Sequence, residues 1–235
     1  MTNKTQKSHS GTNAHKPKNT LTTKIIFIVL LLIALLTLAS QIIPSDNADQ
    51  AVNPNTYIEL PDRKPLPHVT LEQAVKGEIS TTALTDKWHM FLFGYTFCPD
   101  VCPVELSNLH QMMDALRKEL PPEALPQVVF VSIDPDRDTP ERMEAYVKHF
   151  DADFIGMTGK KTDLQALTMP LGISWKKEQT IDATGKVDKE NYLVTHSTAI
   201  ILSNPKAQVT GLFTPPHSAK DMAKAYQIAI QTEKN

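Results

Sequence analysis

Cysteine is almost absent from this chain: Cys98 and Cys102 are the only two in 235 residues. Glycine is scarce too, at eight residues against seventeen prolines. That balance excludes a helical bundle and implies an α/β or α+β domain with fixed loops. There is no excess of positive charge. Lys and Arg number 24 and Asp and Glu 26, a net charge of −2. A general nucleic-acid binder needs a concentrated basic face, so that class is excluded. Internal repeats and low-complexity domains are also missing.

One local absence is informative. Residues 1–24 hold no acidic residue but carry Lys4, Lys7, Lys16, Lys18 and Lys24. An uncharged, mostly apolar run follows from Ile25 to Ile43 and ends at Pro44. As a helix it would span roughly 28 Å, close to the hydrocarbon thickness of a bilayer. Lysines before it, and Asp46 and Asp49 after it, fit the positive-inside rule. The expectation is a disordered cytoplasmic tail (1–24), a transmembrane anchor (25–43), a linker (44–60) and a folded domain (61–235). A cleaved signal peptide ending near Thr37-Leu38-Ala39 is the rival, but the apolar run continues past that point. The domain is expected on the far side of a bacterial inner membrane, facing the periplasm, where the compartment is oxidising. A lone cysteine pair there is a structural disulfide, a redox site or a metal site.

Within the domain, strand and helix signals alternate. Trp88–Gly94 and Gln127–Ile133 are short apolar runs that suit buried strands. Between them Leu106, Leu109, Met113 and Leu116 recur at helical spacing. Thr139 and Pro140 fit the cap and first position of a helix whose apolar face is Met143, Tyr146, Val147 and Phe150. A short strand at Phe154–Met157 and a helix from Thr162 to Leu171 follow. Residues 173–191 are polar, a surface loop or hairpin. Leu193–Leu202 is expected as one strand, paired with Gln208–Phe213. Ser218 and Asp221 make a capping-box pattern for a last helix. The order βαβαβαββα places both cysteines between the first core strand and its helix, which is the thioredoxin-like layout: a central mixed sheet flanked by helices.

Each cysteine precedes a proline in Cys98-Pro99-Asp100-Val101-Cys102-Pro103. Proline restricts its predecessor to extended backbone and suits a helix's first position. Cys102 is therefore expected at a helix N-terminus and Cys98 on the loop before it. A helix N-terminus favours thiolate over thiol, which makes Cys102 the expected more stabilised thiolate. Neighbours four apart on a helix have Cβ atoms about 5–6 Å apart. A disulfide needs about 3.5–4.5 Å, so a bridge is possible but not demanded. Metal ligand, redox dithiol, or both remain open. Thioredoxin-type enzymes use C-x-x-C; the extra residue here makes room for an ion. Where such enzymes carry a proline before a later strand, this chain has His196 within Leu193–Ala199. In the thioredoxin layout that position faces the cysteines. Two thiolates and an imidazole form a soft three-ligand site that suits copper, as Cu(I) or Cu(II). Zinc is not excluded by ligand type, although a structural zinc site would want four protein ligands.

The chain at this point resembles the Sco/SenC family of membrane-anchored copper chaperones for cytochrome c oxidase. The resemblance covers roughly residues 60–232 and the N-terminal anchor. It rests on Gly94–Pro103, on Ser132–Pro140 and on the late His196. It implies copper held by Cys98, Cys102 and His196. It also implies delivery to the dinuclear copper site of oxidase subunit II, or reduction of that site's cysteines before copper enters. Many relatives have an acidic residue before the histidine, where this chain has Thr195. The alternative to a chaperone is an extracytoplasmic thiol–disulfide reductase using Cys98 and Cys102 as a redox-active dithiol without metal transfer. His196 separates the two, since only the chaperone needs it.

Other candidates read blandly. Asp134, Asp136 and Asp138 imitate the start of a calcium loop. However, Thr139 replaces the required glycine and Ala145 sits where the closing glutamate belongs. They form a strand-to-helix turn with cap chemistry at the cysteine end of the sheet. His9, His15, His68, His89, His110, His149 and His217 show no ligand-like spacing. Met112, Met113, Trp88 and Trp175 read as packing.

Overall fold

The computed structural model describes residues 20–42, 56–181 and 185–233. Two units divide the chain, Met1–Ala51 and Val52–Asn235. The expected tail at 1–24 and linker at 44–60 lie mostly outside the described residues. In the first unit, α1 (Thr20–Ile42) is one helix of 23 residues. Ile25 to Ile33 expose their apolar side chains along it. Among the described residues no helix is long and apolar enough to cross a membrane.

The second unit is α/β, with a mixed sheet flanked by helices. Its elements are β1 (Tyr57–Pro65), β2 (Thr70–Gln73), β3 (Gly77–Ser80), β4 (His89–Gly94), α2 (Val101–Glu119), β5 (Gln127–Ser132), α3 (Pro140–Lys148), β6 (Ile155–Met157), α4 (Lys161–Thr168), β7 (Trp175–Ile181), β8 (Val187–His196), β9 (Ile200–Ser203), β10 (Gln208–Phe213) and α5 (Ala219–Thr232). The sheet order is β1-β10-β9-β4-β5-β6. β4, β5 and β6 are parallel; β9 runs antiparallel to β4, and β10 and β1 continue antiparallel. β2–β3 and β7–β8 are separate hairpins.

The period of two along β4 sorts its residues into two cores. Met90 and Leu92 join Leu106, Leu109 and Leu116 of α2 and Met222 and Tyr226 of α5. Phe91 and Phe93 join Leu164 and Leu167 of α4 and Tyr192 and Val194 of β8. Met112, Met113 and Trp88 are buried in the first core, as expected of packing residues. Capping matches the sequence signals. Thr139 accepts the Arg142 N–H and Ser218 the Asp221 N–H.

Three expectations need correcting. Leu193–Leu202 is not one strand: β8 ends at His196 and β9 starts at Ile200, because the Ser197 N–H donates to Ser174 O and keeps the chain on the β7–β8 hairpin. α2 begins at Val101, so Cys102 is already helical and Pro103 is the third residue. Asp100 supplies the irregular backbone instead, at φ −140 and ψ −70. The strands at 57–80 were not anticipated. β1 is a half-exposed edge strand containing Pro61 and Pro65, which an edge tolerates.

Candidate metal centre

The parallel strands β4 and β5 end together, with Gly94 opposite Ser132. Ligand sites in open α/β sheets lie beyond such strand ends, where helix N-termini point. The loop after β4 turns at once, through a hydrogen bond from Cys98 N–H to Tyr95 O of 3.2 Å. The loop then enters α2, whose first turn carries Cys102. Cys98 is half-buried and in contact with both cores, whereas Cys102 is buried at 1% exposure. Both are free thiols.

His196 closes the site from the other side. The ligand atoms of Cys98, Cys102 and His196 lie within 4.8 Å of one another. Among the described residues this is the one group of His, Cys, Asp and Glu so arranged. His196 Nε2 lies 3.7 Å from Cys102 Sγ, and Nδ1 lies 2.9 Å from Ser197 O. A carbonyl can only accept, so Nδ1 carries the proton and donates. With Nδ1 turned to the carbonyl, Nε2 faces the sulfurs and is the ring atom available to a metal. Tyr95 packs edge-on against the ring, centroids 6.1 Å apart. Support for the imidazole is thus a backbone carbonyl. The Thr195 hydroxyl donates away from it, to Glu178 at 3.2 Å.

The two thiols differ. The Cys98 thiol is pulled down to about 3, first by a hydrogen bond from the Cys102 thiol. Burial opposes this, and His196 and the backbone N–H groups of Cys102 and Asp100 add to the lowering. Cys102 is pushed up, by giving that same hydrogen bond and by burial. This corrects the expected order. The free N–H groups of a helix start point beyond its end, so they serve Cys98 upstream rather than the side chain inside the first turn.

The turn after β5 holds the cysteine loop in place. Asp138, 1% exposed, accepts hydrogen bonds from Thr96 N–H at 3.0 Å, Thr96 hydroxyl at 2.5 Å and Ser132 hydroxyl at 2.6 Å. Asp134, fully buried, accepts from Arg137 Nε at 2.6 Å and from the Tyr192 hydroxyl at 2.5 Å. These aspartates are not a cation cage; they are anchors, as cap chemistry implied. Sequence reasoning missed Tyr192, which falls between the polar segment 173–191 and the expected strand from Leu193, and the Ser197 carbonyl, which no side-chain pattern can mark. His89, His110 and His217 lie away from the site: His110 meets Asp151 and His217 meets Glu105.

The SCO1/SenC family profile matches residues 69–231. The chain belongs to the SCO1/SenC family. A Stutzerimonas stutzeri protein named for copper binding is 32% identical over 157 residues, 67% of this chain and 72% of that one. The mitochondrial SCO1 homolog 2 of Arabidopsis thaliana is 33% identical over 138 residues, 59% of this chain but 47% of its own length. Among solved structures, Arabidopsis thaliana ScoI with copper bound aligns at a TM-score of 0.63 and 25% identity, over 70% of this chain and 97% of that one. The mixed sheet, flanking helices and late hairpin therefore follow the thioredoxin-like architecture of SCO1/SenC structures.

Proposed function

We propose that this SCO1/SenC protein is a membrane-anchored copper chaperone. It takes one copper ion through Cys98 Sγ, Cys102 Sγ and His196 Nε2. It passes the ion to the dinuclear copper site of cytochrome c oxidase subunit II or a similar copper protein, or reduces that site's cysteines before copper enters. The observation that carries this reading is the convergence of two sulfurs and one free imidazole nitrogen within 4.8 Å, at the open end of the sheet. Thiolates select soft ions and imidazole suits copper in either oxidation state. The named copper relative and the copper-bound Arabidopsis structure agree with that ion. Here copper is cargo. A site of three donors, with Cys98 half-exposed, leaves room for target thiolates to replace the donors one at a time. The anchor is a reading of the sequence, resting on the uncharged run Ile25–Ile43 preceded by lysines, with the domain facing the periplasm of a bacterial inner membrane.

A second reading has its own observation: both cysteines are free, and Cys98 is held as thiolate. A Cys98 thiolate could attack a target disulfide. Cys102 would then resolve the mixed disulfide, leaving a Cys98–Cys102 bridge here and two thiols on the target. Anaerobic mixing of the Cu(I)-loaded chain with an apo subunit II copper domain separates the readings. Copper appearing on a reduced target supports the chaperone. Reduction of an oxidised target by the copper-free chain, with no copper transfer in the first experiment, supports the reductase.

A further inference from the structure

His196 reaches the site from far away. It lies 94 residues beyond Cys102, at the open end of a hairpin that is no part of the six-stranded sheet, paired with Trp175 and far from the Ile181–Val187 turn. Among the described residues, β7 and β8 pair only with each other. β9 rejoins the main sheet four residues later, so the position of His196 relative to the sulfurs depends on that strand and on what fastens the hairpin to the rest of the domain. Tyr95 contributes by accepting the Val194 N–H at 3.2 Å, and Trp175 by donating to the Thr168 hydroxyl at 3.0 Å.

Arg137 stands between the hairpin and the loop. Its guanidinium lies 3.6 Å from the Tyr192 ring centroid on the hairpin side. On the loop side it lies 4.7 Å from Phe97, the neighbour of Cys98, and 5.6 Å from Tyr95. Nη1 donates to Glu190 O at 3.1 Å, a second hold on β8. Nε donates to Asp134, whose other oxygen accepts from Tyr192 and lies 3.3 Å from Lys177 Nζ on β7. One buried carboxylate and one guanidinium thus join the β5–α3 turn, both hairpin strands and the cysteine loop. Nη2 is buried with no partner. A native fold tolerates a buried unpaired donor where other contacts fix the group in place. Here the stacking and the Nε and Nη1 bonds do so.

We propose that Arg137 is a positioning residue: it locks the hairpin that carries His196 onto the loop that carries Cys98, and so sets whether the imidazole completes the metal site. The role rests on the three-ligand copper reading and deepens it. Two thiolates alone satisfy Cu(I), whereas Cu(II) draws on the imidazole. Loss of the lock therefore separates the two oxidation states.

The test uses the full chain, purified in mild detergent, with Cu(I) or Cu(II) alone as the probe. Arg137→Met keeps an apolar stem and removes the fork. Arg137→Lys keeps the charge without the fork, which a point charge cannot replace. His196→Ala reports a lost imidazole. Arg117→Met breaks the ion pair with Asp151 at the far end of α2 and serves as the stability control. The expected result for Arg137→Met is one Cu(I) held within about threefold of the parent. Cu(II) should bind at least tenfold more weakly, with the nitrogen hyperfine signal lost from its electron paramagnetic spectrum. Arg137→Lys should recover only part of that signal, and it carries the test if the methionine variant does not fold. An unchanged Cu(II) signal in both Arg137 variants, beside a lost one in His196→Ala, overturns the positioning role. So does an equal loss in Arg117→Met. If His196→Ala itself keeps the signal, the three-ligand reading falls and the positioning role with it.

Discussion

The sulfur of Cys102 fills the space that a side chain at Gly94 would need. A Cβ there would lie 2.6 Å from that sulfur and 2.7 Å from the Phe130 ring. Gly94 is thus the close-approach point that lets α2 pack its first turn against the end of β4. Gly94→Ala is expected to destabilise the domain by about 1–3 kcal/mol through overpacking. It should also displace Cys102 and weaken copper binding. Thermal unfolding beside copper titration checks both effects, and an unperturbed variant would mean that the sulfur has room to move.

Asp138 fixes the loop that bears Cys98 through Thr96. Asp138→Ala leaves the Thr96 N–H and two hydroxyls without an acceptor in a buried place. The loss is expected at about 1–3 kcal/mol per stranded donor, reduced where water enters. Exchange of the Thr96 amide with deuterium should accelerate more than that of core amides in β5. Uniform acceleration across the sheet would instead indicate general loosening.

Cys98 and Cys102 should differ sharply toward alkylation. In the metal-free chain Cys98 is half-buried and held as thiolate, while Cys102 is buried and held as thiol. Iodoacetamide followed by peptide mapping should modify Cys98 first, at a rate nearly flat between about pH 5 and pH 8. Cys102 should react only on unfolding. First modification of Cys102 would restore the order expected from the helix N-terminus.

His89 gives the fold a sensitivity to acid. Burial lowers it to about 4, its Nδ1 has no partner, and its ring stacks on Phe91. The unfolded chain takes up this proton near pH 6.5 and the folded one only near 4, so stability falls as pH drops through that window. The full effect is roughly 3 kcal/mol, from the shift multiplied by about 1.4 kcal/mol per unit. His89→Leu should flatten that part of the stability profile in denaturant unfolding. An unchanged slope would assign the acid sensitivity to other groups.

Much of the site was legible because its residues are rare and punctuated. Two cysteines, each before a proline, can be placed on a loop and helix start without a structure, and the thioredoxin layout points His196 at them. β4 and β5 are continuous apolar runs, and Thr139 and Ser218 are plain caps. β1 was not legible, since its Tyr57–Pro65 stretch is polar, contains two prolines and pairs only along one edge with β10. The break between β8 and β9 escaped because Ser197 bonds across the hairpin to Ser174, a tertiary choice that the apolar flanks Leu193-Val194 and Ile200–Leu202 conceal. The thiolate order was misjudged for a geometric reason: helix N-terminal N–H groups serve atoms beyond the helix end. Arg137 and Tyr192 meet only in space, 55 positions apart, so no local pattern joins them.

The most direct test of the copper site is anaerobic Cu(II) titration of the reduced chain beside its His196→Ala variant, reading stoichiometry and competition against a Cu(II) chelator. One copper per chain, held at least about tenfold more weakly in the variant, is the predicted result, a difference of roughly 1.4 kcal/mol. Equal binding by both chains, or none by either, would contradict the three-ligand site and leave the thiol–disulfide reductase as the function of Cys98 and Cys102.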